Sequence, residues 1–113
     1  MYLVNTGKFA WTASDSPDVS SYRIYYSPDE QVFANWNDES YSTVPFAEVP
    51  AIEGTIEYET EISSLGISLD GTYFFVSASV DSTGNISDIT PVVAVTFDAT
   101  APNPPTNFRY LPA

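Results

Sequence analysis

The seven residues Ile56-Glu57-Tyr58-Glu59-Thr60-Glu61-Ile62 alternate strictly between glutamates and less polar side chains. In an extended segment, successive side chains point to opposite faces, so the three glutamates would share one face. The other face would carry Ile56, Tyr58, Thr60 and Ile62. Because three carboxylates on one face need water, the segment is predicted to be a β-strand that covers a core on one side only.

The same period of two recurs elsewhere in the chain. An earlier strand is predicted with Phe9 and Trp11 on its inner face, and the next strand would point Tyr22, Ile24 and Tyr26 inward. Segments rich in Ser, Asp, Pro and Gly separate these strands, as turns do. This rhythm of short strands and turns predicts an all-β chain in which antiparallel sheets enclose one core.

A hairpin is predicted near the end of the chain. Thr72 to Val80 would form a long strand that is apolar on both faces, and Val92 to Phe97 would return beside it. The loop between them runs from Asp81 to Asn85 and consists of turn-forming residues.

The composition is that of one folded domain. The 113 residues are 43% hydrophobic and include seven Phe, eight Tyr and two Trp, which supply enough large apolar surface for a single core. Fifteen acidic residues against three basic ones give a formal net charge of -12. Nucleic acid and anionic membrane surfaces are therefore excluded as partners, because the chain has too few cations to neutralise phosphates.

Cysteine and hydropathy exclude further classes. The chain has no cysteine, which rules out disulfides, thiolate chemistry and cysteine-ligated metals. Membrane insertion is not expected, since no stretch approaches the ~20 apolar residues of a membrane span. The first seven residues lack the pattern of a signal peptide, so an export signal for this domain would lie outside the sequence.

Residues 29–54 are the least regular part of the sequence, and we call them the insertion. Ser27-Pro28-Asp29-Glu30 has the pattern of a helix capping box, and Phe33 and Trp36 follow at helical spacing, which predicts one or two helical turns. Farther on, Tyr41 to Val49 is predicted to form a short edge strand, because nearby prolines cannot donate to the ladder of a central strand.

The order of these segments resembles a fibronectin type III domain, in particular the bacterial kind found in surface proteins and secreted hydrolases. Four segments are similar to the family's strand B, strand C, the turn into strand F with its tyrosine corner, and the F–G hairpin. In this sequence they are Phe9-Ala10-Trp11-Thr12, Tyr22-Arg23-Ile24-Tyr25-Tyr26-Ser27, Asp70-Gly71-Thr72-Tyr73-Phe74 and Ser79-Val80-Asp81-Ser82-Thr83-Gly84-Asn85-Ile86-Ser87. The resemblance covers residues 8–98 and implies an immunoglobulin-like antiparallel β-sandwich of about seven strands.

The long strand before the F–G loop has two predicted registers. Analogy with the family places one set of side chains inside, namely Tyr73, Phe75, Ser77 and Ser79. Apolarity favours the alternate set, which is Phe74, Val76, Ala78 and Val80. The two differ by one residue, and such a slip exchanges the two faces of the strand.

The resemblance departs from the family at both ends of the chain. Only residues 1–7 precede the segment similar to strand B, where the family has a longer strand A, whereas residues 102–110 are similar to that strand A. We therefore predict a sandwich over 1–98, followed over 99–113 by a Pro-rich linker and the first strand of a further domain. The alternative is that 102–110 supplies an edge strand to a neighbouring molecule. The chain itself would be a monomer or part of a tandem array.

Catalytic chemistry is poorly supplied in this sequence. With no histidine and no cysteine, the commonest general base and the thiol nucleophile are absent. The trio Glu57, Glu59 and Glu61 could pair as in a glycosidase, but one solvated strand face offers no cleft to separate their pKa values. No cofactor and no enzymatic activity are predicted.

The acidic residues of the insertion suit calcium better than other metals. Four acidic residues could converge if the insertion folds back on itself, namely Asp29, Glu30, Asp38 and Glu39. Carboxylate oxygens suit calcium, although the spacing is not that of an EF-hand loop.

The resemblance implies a structural, adhesive or spacer module of a larger extracellular or cell-surface protein, with protein or polysaccharide as its partner. The expected contact regions are the insertion and the F–G loop, where Asp81 and Asn85 are candidates. An alternative function is an accessory carbohydrate-binding domain that uses exposed rings of the insertion. Those rings would be Phe33, Trp36, Tyr41 and Phe46, unless Phe33 and Trp36 serve to pack the insertion onto the sandwich.

Overall fold

The computed structural model describes residues 7–65, 70–97 and 101–113. Their six strands are β1 (Lys8–Thr12), β2 (Val19–Ser27), β3 (Phe46–Pro50), β4 (Glu57–Glu61), β5 (Gly71–Asp81) and β6 (Val93–Phe97). Two single-turn helices, α1 (Gln31–Ala34) and α2 (Ser40–Thr43), lie between β2 and β3, and a 3-10 turn (Ile62–Leu65) follows β4.

The strands form two antiparallel sheets. The smaller sheet pairs β1 with β4, and the larger sheet has the order β3-β2-β5-β6. Strands B and E share one sheet and strands C, F and G the other in immunoglobulin-like sandwiches, and this chain has the same arrangement, with β3 added beside β2. The predicted fold class is therefore confirmed, with six strands in the described residues against about seven predicted.

The core between the sheets is built from aromatic side chains. The Phe9 and Phe75 rings lie 4.7 Å apart across the sandwich, and the Trp11 ring stacks on Tyr58 at 5.5 Å. Ile24 is buried in the same core. The inward positions predicted for β1 and β2 are confirmed, with Tyr22 buried and Tyr26 half-buried.

A second core lies on the opposite face of the larger sheet. Tyr25 is completely buried there, and it packs with Phe33 of α1 and with Val76 and Ala78 of β5. The part of the insertion that contains α1 and α2 therefore packs on the outer face of the larger sheet, as a helix or loop layer covers a sheet that is apolar on both sides.

The second core accounts for the two registers predicted for β5, because apolar side chains are buried on both faces of this strand. Phe75 faces the smaller sheet, with Tyr73 packed against the same core, so the register taken from the family analogy describes the interior of the sandwich. Val76 and Ala78 are buried as well, but under the insertion. A strand buried on both faces has no polar face to reveal its register.

The start of α1 differs from its prediction. The helix begins at Gln31, and the side chain of its N-cap residue, Glu30, makes no capping hydrogen bond. Ser27 is instead a buried residue at the end of β2, and its hydroxyl accepts a hydrogen bond from the Asp29 N–H at 3.1 Å. Asp29 then accepts from the Gln31 N–H at 3.0 Å. Two local turns therefore replace the predicted capping box.

The predicted edge strand over Tyr41 to Val49 is correct only in its second half. Residues 40–43 form α2, and β3 begins at Phe46. β3 lies at the edge of the larger sheet, where Pro50 is tolerated at its end.

The alternation of residues 56–62 holds except at its first residue. Tyr58 and Ile62 are buried and the glutamates are exposed, but Ile56 precedes β4 and is 69% exposed. The prediction that Ile56 points inward is wrong because the pattern was extended one residue beyond the strand. On the solvated face, the Lys8 ammonium forms an ion pair with Glu59 at 3.0 Å.

Residues 101–113 contain no strand, and their large apolar side chains are exposed. The exposed fractions are 96% for Phe108, 83% for Tyr110 and 72% for Leu111. Among the described residues there is no helix with the length and apolar character needed to cross a membrane. The sequence predictions that concern residues 1–6, 66–69 and 98–100 lie outside the described residues, and these include the predicted boundary between the sandwich over 1–98 and the linker over 99–113.

Candidate functional site

The F–G loop is organised by the carboxylate of Asp81. Its Oδ1 accepts hydrogen bonds from the backbone N–H groups of Thr83 at 3.0 Å and of Asn85 at 2.8 Å. Its Oδ2 accepts from the side-chain amide of Asn85 at 3.0 Å. Gly84 closes the turn with φ at +96°, a backbone conformation that L side chains rarely adopt. The two residues predicted as contacts in this loop therefore hold each other in place.

These bonds lower the pKa of Asp81. The largest cause is the hydrogen bond from the Asn85 side chain, followed by that from the Asn85 backbone, because both stabilise the charged carboxylate. A carboxyl whose pKa is lower in the folded state stabilises the fold above its unfolded pKa, and this contribution is lost as pH falls through the folded value.

We expect the F–G loop to loosen only in acid. The Asn85 backbone amide should titrate with a midpoint below 3.8, the ordinary pKa of the group, in two-dimensional NMR spectra recorded from pH 6 downward. Asp81→Asn should remove this titration and leave the amide insensitive to pH. A midpoint at or above 3.8 would show that the carboxylate does not accept these bonds.

The loop between β1 and β2, the B–C loop, lies against the F–G loop. The Ser82 N–H donates to the backbone oxygen of Asp18 at 3.1 Å, and the Ser20 hydroxyl donates to the backbone oxygens of Val80 and Asp81 at 3.2 and 3.1 Å. These bonds tie the two loops together. A polar cleft of about 230 Å³ lies between them, and its walls include Ser14, Ser16, Asp18, Asp81, Asn85 and Ser87.

The loop between β3 and β4 lies at the same end of the sandwich. The Ala13 N–H donates to the backbone oxygen of Ile56 at 2.6 Å, and the Ala51 N–H donates to that of Ser20 at 3.0 Å. Ile52 is 62% exposed and Ile56 is 69% exposed in this loop. Residues 13–18, 51–56 and 81–85 therefore form one continuous surface, which we call the end surface.

The sequence predicts only part of the end surface. Turn-forming residues mark Asp81 and Asn85 as loop positions, but no pattern marks the two isoleucines as exposed. The alternation of residues 56–62 places Ile56 in the core. Ile52 lies between a proline-containing and a glycine-containing segment, and no periodicity marks it as exposed.

The four aromatic candidates of the insertion surround Tyr25 instead of projecting into water. The ring of Trp36 meets the Tyr25 ring edge-on at 5.1 Å, and Phe33 stacks on Trp36 at 5.7 Å. Tyr41 and Phe46 lie 6.2 and 5.2 Å from Tyr25. Phe33 is 5% exposed, so the prediction of an exposed stacking platform is wrong for it. The aromatic rings pack the insertion onto the sheet.

Polar contacts reinforce this packing. The Tyr25 hydroxyl donates to the backbone oxygen of Tyr41 at 2.9 Å and accepts from the Arg23 guanidinium at 3.0 Å. That guanidinium lies 4.1 Å above the ring of Phe46, as in a cation–π contact. Phe46 is 36% exposed, but one face of its ring is occupied by Arg23.

The calcium candidates are not gathered into one group. Asp29 and Glu30 precede α1, whereas Asp38 and Glu39 precede α2, and the backbone N–H of Glu39 is bonded to the Asn37 side chain at 2.9 Å. In the part of the chain that the structure describes, no three acidic side chains lie close enough to hold a metal ion. Calcium binding stays a prediction from composition.

Two of the three glutamates on β4, Glu57 and Glu59, form side-chain pairs on the surface. Lys8 bonds to Glu59, and this bond is the main cause that raises the pKa of Lys8. Thr12 donates to Glu57 at 3.0 Å. Both pairs are exposed, so water screens them and they contribute little to stability. The arrangement is that of a solvated strand face.

Comparisons with known proteins assign no family to this chain. No family model matches the chain, and no curated protein matches it. Among solved structures, the chain is similar to the solution structure of the third fibronectin III domain of the human KIAA0343 protein. The two share 11% sequence identity, the match covers 91% of this chain and 86% of that domain, and the TM-score is 0.45.

Proposed function

We propose that this chain is a non-catalytic interaction module of a larger extracellular or cell-surface protein, and that it binds a protein partner through the end surface. The sandwich would hold the three loops in a fixed arrangement, and it would set the distance between the domains that adjoin it. The observation that carries the proposal is the meeting of three loops at one end of the sandwich. Two of these loops enclose a cleft, and the third exposes Ile52 and Ile56.

The composition of the end surface favours a protein partner over a sugar. Protein interfaces combine apolar and polar surface, and the end surface offers both, with Ile52 and Ile56 exposed on one loop and a cleft lined by serines, Asp18, Asp81 and Asn85 between the other two. Sugar faces are bound mainly by flat aromatic rings, and the described residues of the end surface include none. The rings of the insertion are engaged with Tyr25, so carbohydrate binding is a weaker proposal than protein binding.

Hydrogen bonds hold the F–G loop in one conformation, which also supports binding. Asp81 fixes the F–G loop through three hydrogen bonds, and Ser20 and Ser82 fix it to the strand and loop beside it. Loops that are ordered before they meet a partner lose less conformational entropy on binding. The high net negative charge, -12, favours solubility and partners with basic surfaces.

The proposal is tested by binding of the full chain to a panel of immobilised extracellular-matrix proteins and polysaccharides, measured by biolayer interferometry. We expect retention on at least one protein, and we expect the double variant Ile52→Ser/Ile56→Ser to bind that protein about tenfold or more weakly. Because both side chains are exposed, the variant should remain folded.

Asp38→Asn is the matched control, since it alters an exposed residue near α2 and away from the end surface. It should bind as well as the parent chain. Retention on polysaccharides alone, retention on nothing in the panel, or equal losses in the loop variant and the control would contradict the proposal.

A further inference from the structure

The two sheets of the sandwich differ in width, and this leaves part of the larger sheet uncovered. β1 and β4 lie over a sheet of four strands. β1 contacts β5 through Phe9 and Phe75, and β4 contacts β2 through Tyr58 and Tyr22. Among the described strands, none lies on the far side of β1, above β5 and β6. An apolar groove of about 320 Å³ occupies this position.

The groove is mainly apolar, although Ser77 and Thr90 also line it. Its lining includes Phe9, Trp11, Ile24, Phe75, Pro91 and Val93. Phe9 and Trp11 are only half-buried, and Val93 is 51% exposed. Adjacent strands of a sheet lie about 4.8 Å apart, so one further strand beside β1 would place alternate side chains in this groove.

The backbone of β1 is ready to accept such a strand. The Gly7 oxygen accepts from Ile62 at 3.1 Å, and the Ala13 N–H donates to Ile56. These bonds show that the odd-numbered residues of β1 direct their backbone groups toward β4. In an antiparallel ladder the intervening residues point the other way. The N–H and C=O groups of Lys8, Ala10 and Thr12 therefore face the edge of β1 away from β4, which we call the open edge because no strand of the described residues lies there.

Residues 101–113 have the properties that this groove requires. Phe108 and Tyr110 are two residues apart, the spacing of Phe9 and Trp11, and they are almost fully exposed. The preceding Pro104-Pro105 favours an extended backbone. The segment contains Arg109 and no acidic residue, so its positive charge would lie beside a strand pair that carries three glutamates.

We propose that residues 106–111 of one copy of this chain pair with the β1 edge of a second copy, with Phe108 and Tyr110 in its groove. The donated strand adds backbone hydrogen bonds for affinity and two side-chain anchors for specificity. Arg109 lies on the outer face, on the same side as Lys8 and the β4 glutamates. Asn107, whose φ is +57° in the free segment, becomes extended on pairing.

The contact joins two different surfaces, the donated segment and the groove. Such a head-to-tail contact either closes as a reciprocal pair or extends into a chain of copies. Because ordering the segment opposes association, the affinity is modest, and self-association is expected between about 10 µM and 1 mM. Sedimentation velocity of the full chain should show an average mass that rises with concentration from 12.4 kDa, toward twice that value for a reciprocal pair and beyond it for a chain of copies.

Two variants test the donated segment and the β1 edge separately, and we call them the donor variant and the acceptor variant. Phe108→Ser/Tyr110→Ser removes the anchors from an exposed segment, and Ala10→Pro removes an N–H group that faces the open edge while sparing the bonds to β4. Each variant alone should remain a monomer. An equimolar mixture should form a one-to-one complex, in which the intact segment of the Ala10→Pro chain occupies the intact groove of the other. Val93→Glu, which places a charge in the groove, replaces Ala10→Pro if circular dichroism shows that the proline variant is unfolded.

Several results would overturn the proposal. The parent chain could remain monomeric at 1 mM, the donor variant could associate as the parent does, or the mixture could stay monomeric. Protection of the amides of 106–111 in a monomer would show that the segment returns to its own groove. Protection of the Ala10 amide in the donor variant alone would show that another part of the same chain fills the groove.

Discussion

Tyr25→Ala is expected to lower the free energy of unfolding by about 3–5 kcal/mol, the range for truncating a large buried aromatic side chain. Tyr25 is completely buried between the larger sheet and the insertion, and its ring contacts Trp36, Tyr41 and Phe46. The substitution would therefore leave a cavity at the centre of the second core. Urea denaturation followed by tryptophan fluorescence measures the change, since Trp36 reports from the same core.

Tyr25→Phe is the matched control for this prediction. It keeps the ring and removes only the hydroxyl, which bridges Arg23 and the backbone oxygen of Tyr41. We expect a loss of about 1 kcal/mol, because the Tyr41 oxygen loses its shorter hydrogen bond and keeps only the contact from the Arg23 guanidinium at 3.5 Å. If Tyr25→Ala cost no more than Tyr25→Phe, the ring would not be packed between the sheet and the insertion.

Phe75→Ala is expected to have an effect of similar size in the other core, about 3–5 kcal/mol. Phe75 is 2% exposed, and its ring lies 4.7 Å from Phe9 and 6.0 Å from Phe97. Its removal would uncouple the smaller sheet from β5. The same urea titration, followed by far-ultraviolet circular dichroism, measures the loss.

Phe74→Ala supplies the comparison on the opposite face of β5. Phe74 is only half-buried and packs against the second core, so its truncation removes less buried surface and should cost less than that of Phe75. Equal costs, or a larger cost at Phe74, would contradict the register described for β5.

The sandwich itself could be predicted because two strands carry a strong period of two. In β1 and β4, each outer face is polar and solvated, so alternation alone distinguishes Trp11 and Tyr58 from their neighbours. The larger sheet lacks this signal. Tyr25 and Val76 are buried on the outer face by the insertion, and a sequence pattern cannot reveal a cover that is distant in the chain.

The candidate site was predictable only where local chemistry defines it. The F–G loop could be located because Asp, Gly and Asn mark a turn. The end surface depends on three loops brought together by sheet pairing, such as Ser21 with Pro50 and Val19 with Asp81. For Trp36 the sequence left two alternatives, exposure among polar neighbours or packing onto the sandwich, and its contacts with Phe33 and Tyr25 support packing.

Layers pack on both faces of the larger sheet, with the smaller sheet over part of one face and α1 and α2 of the insertion on the other. The positions of the loops and of the groove depend on these two layers. Nuclear Overhauser effects between aromatic rings in the selectively labelled full chain measure both layers in one spectrum. We predict cross-peaks between Phe9 and Phe75 and between Tyr25 and Trp36, whose ring centres lie 4.7 and 5.1 Å apart. A folded chain that lacks either cross-peak would contradict this architecture.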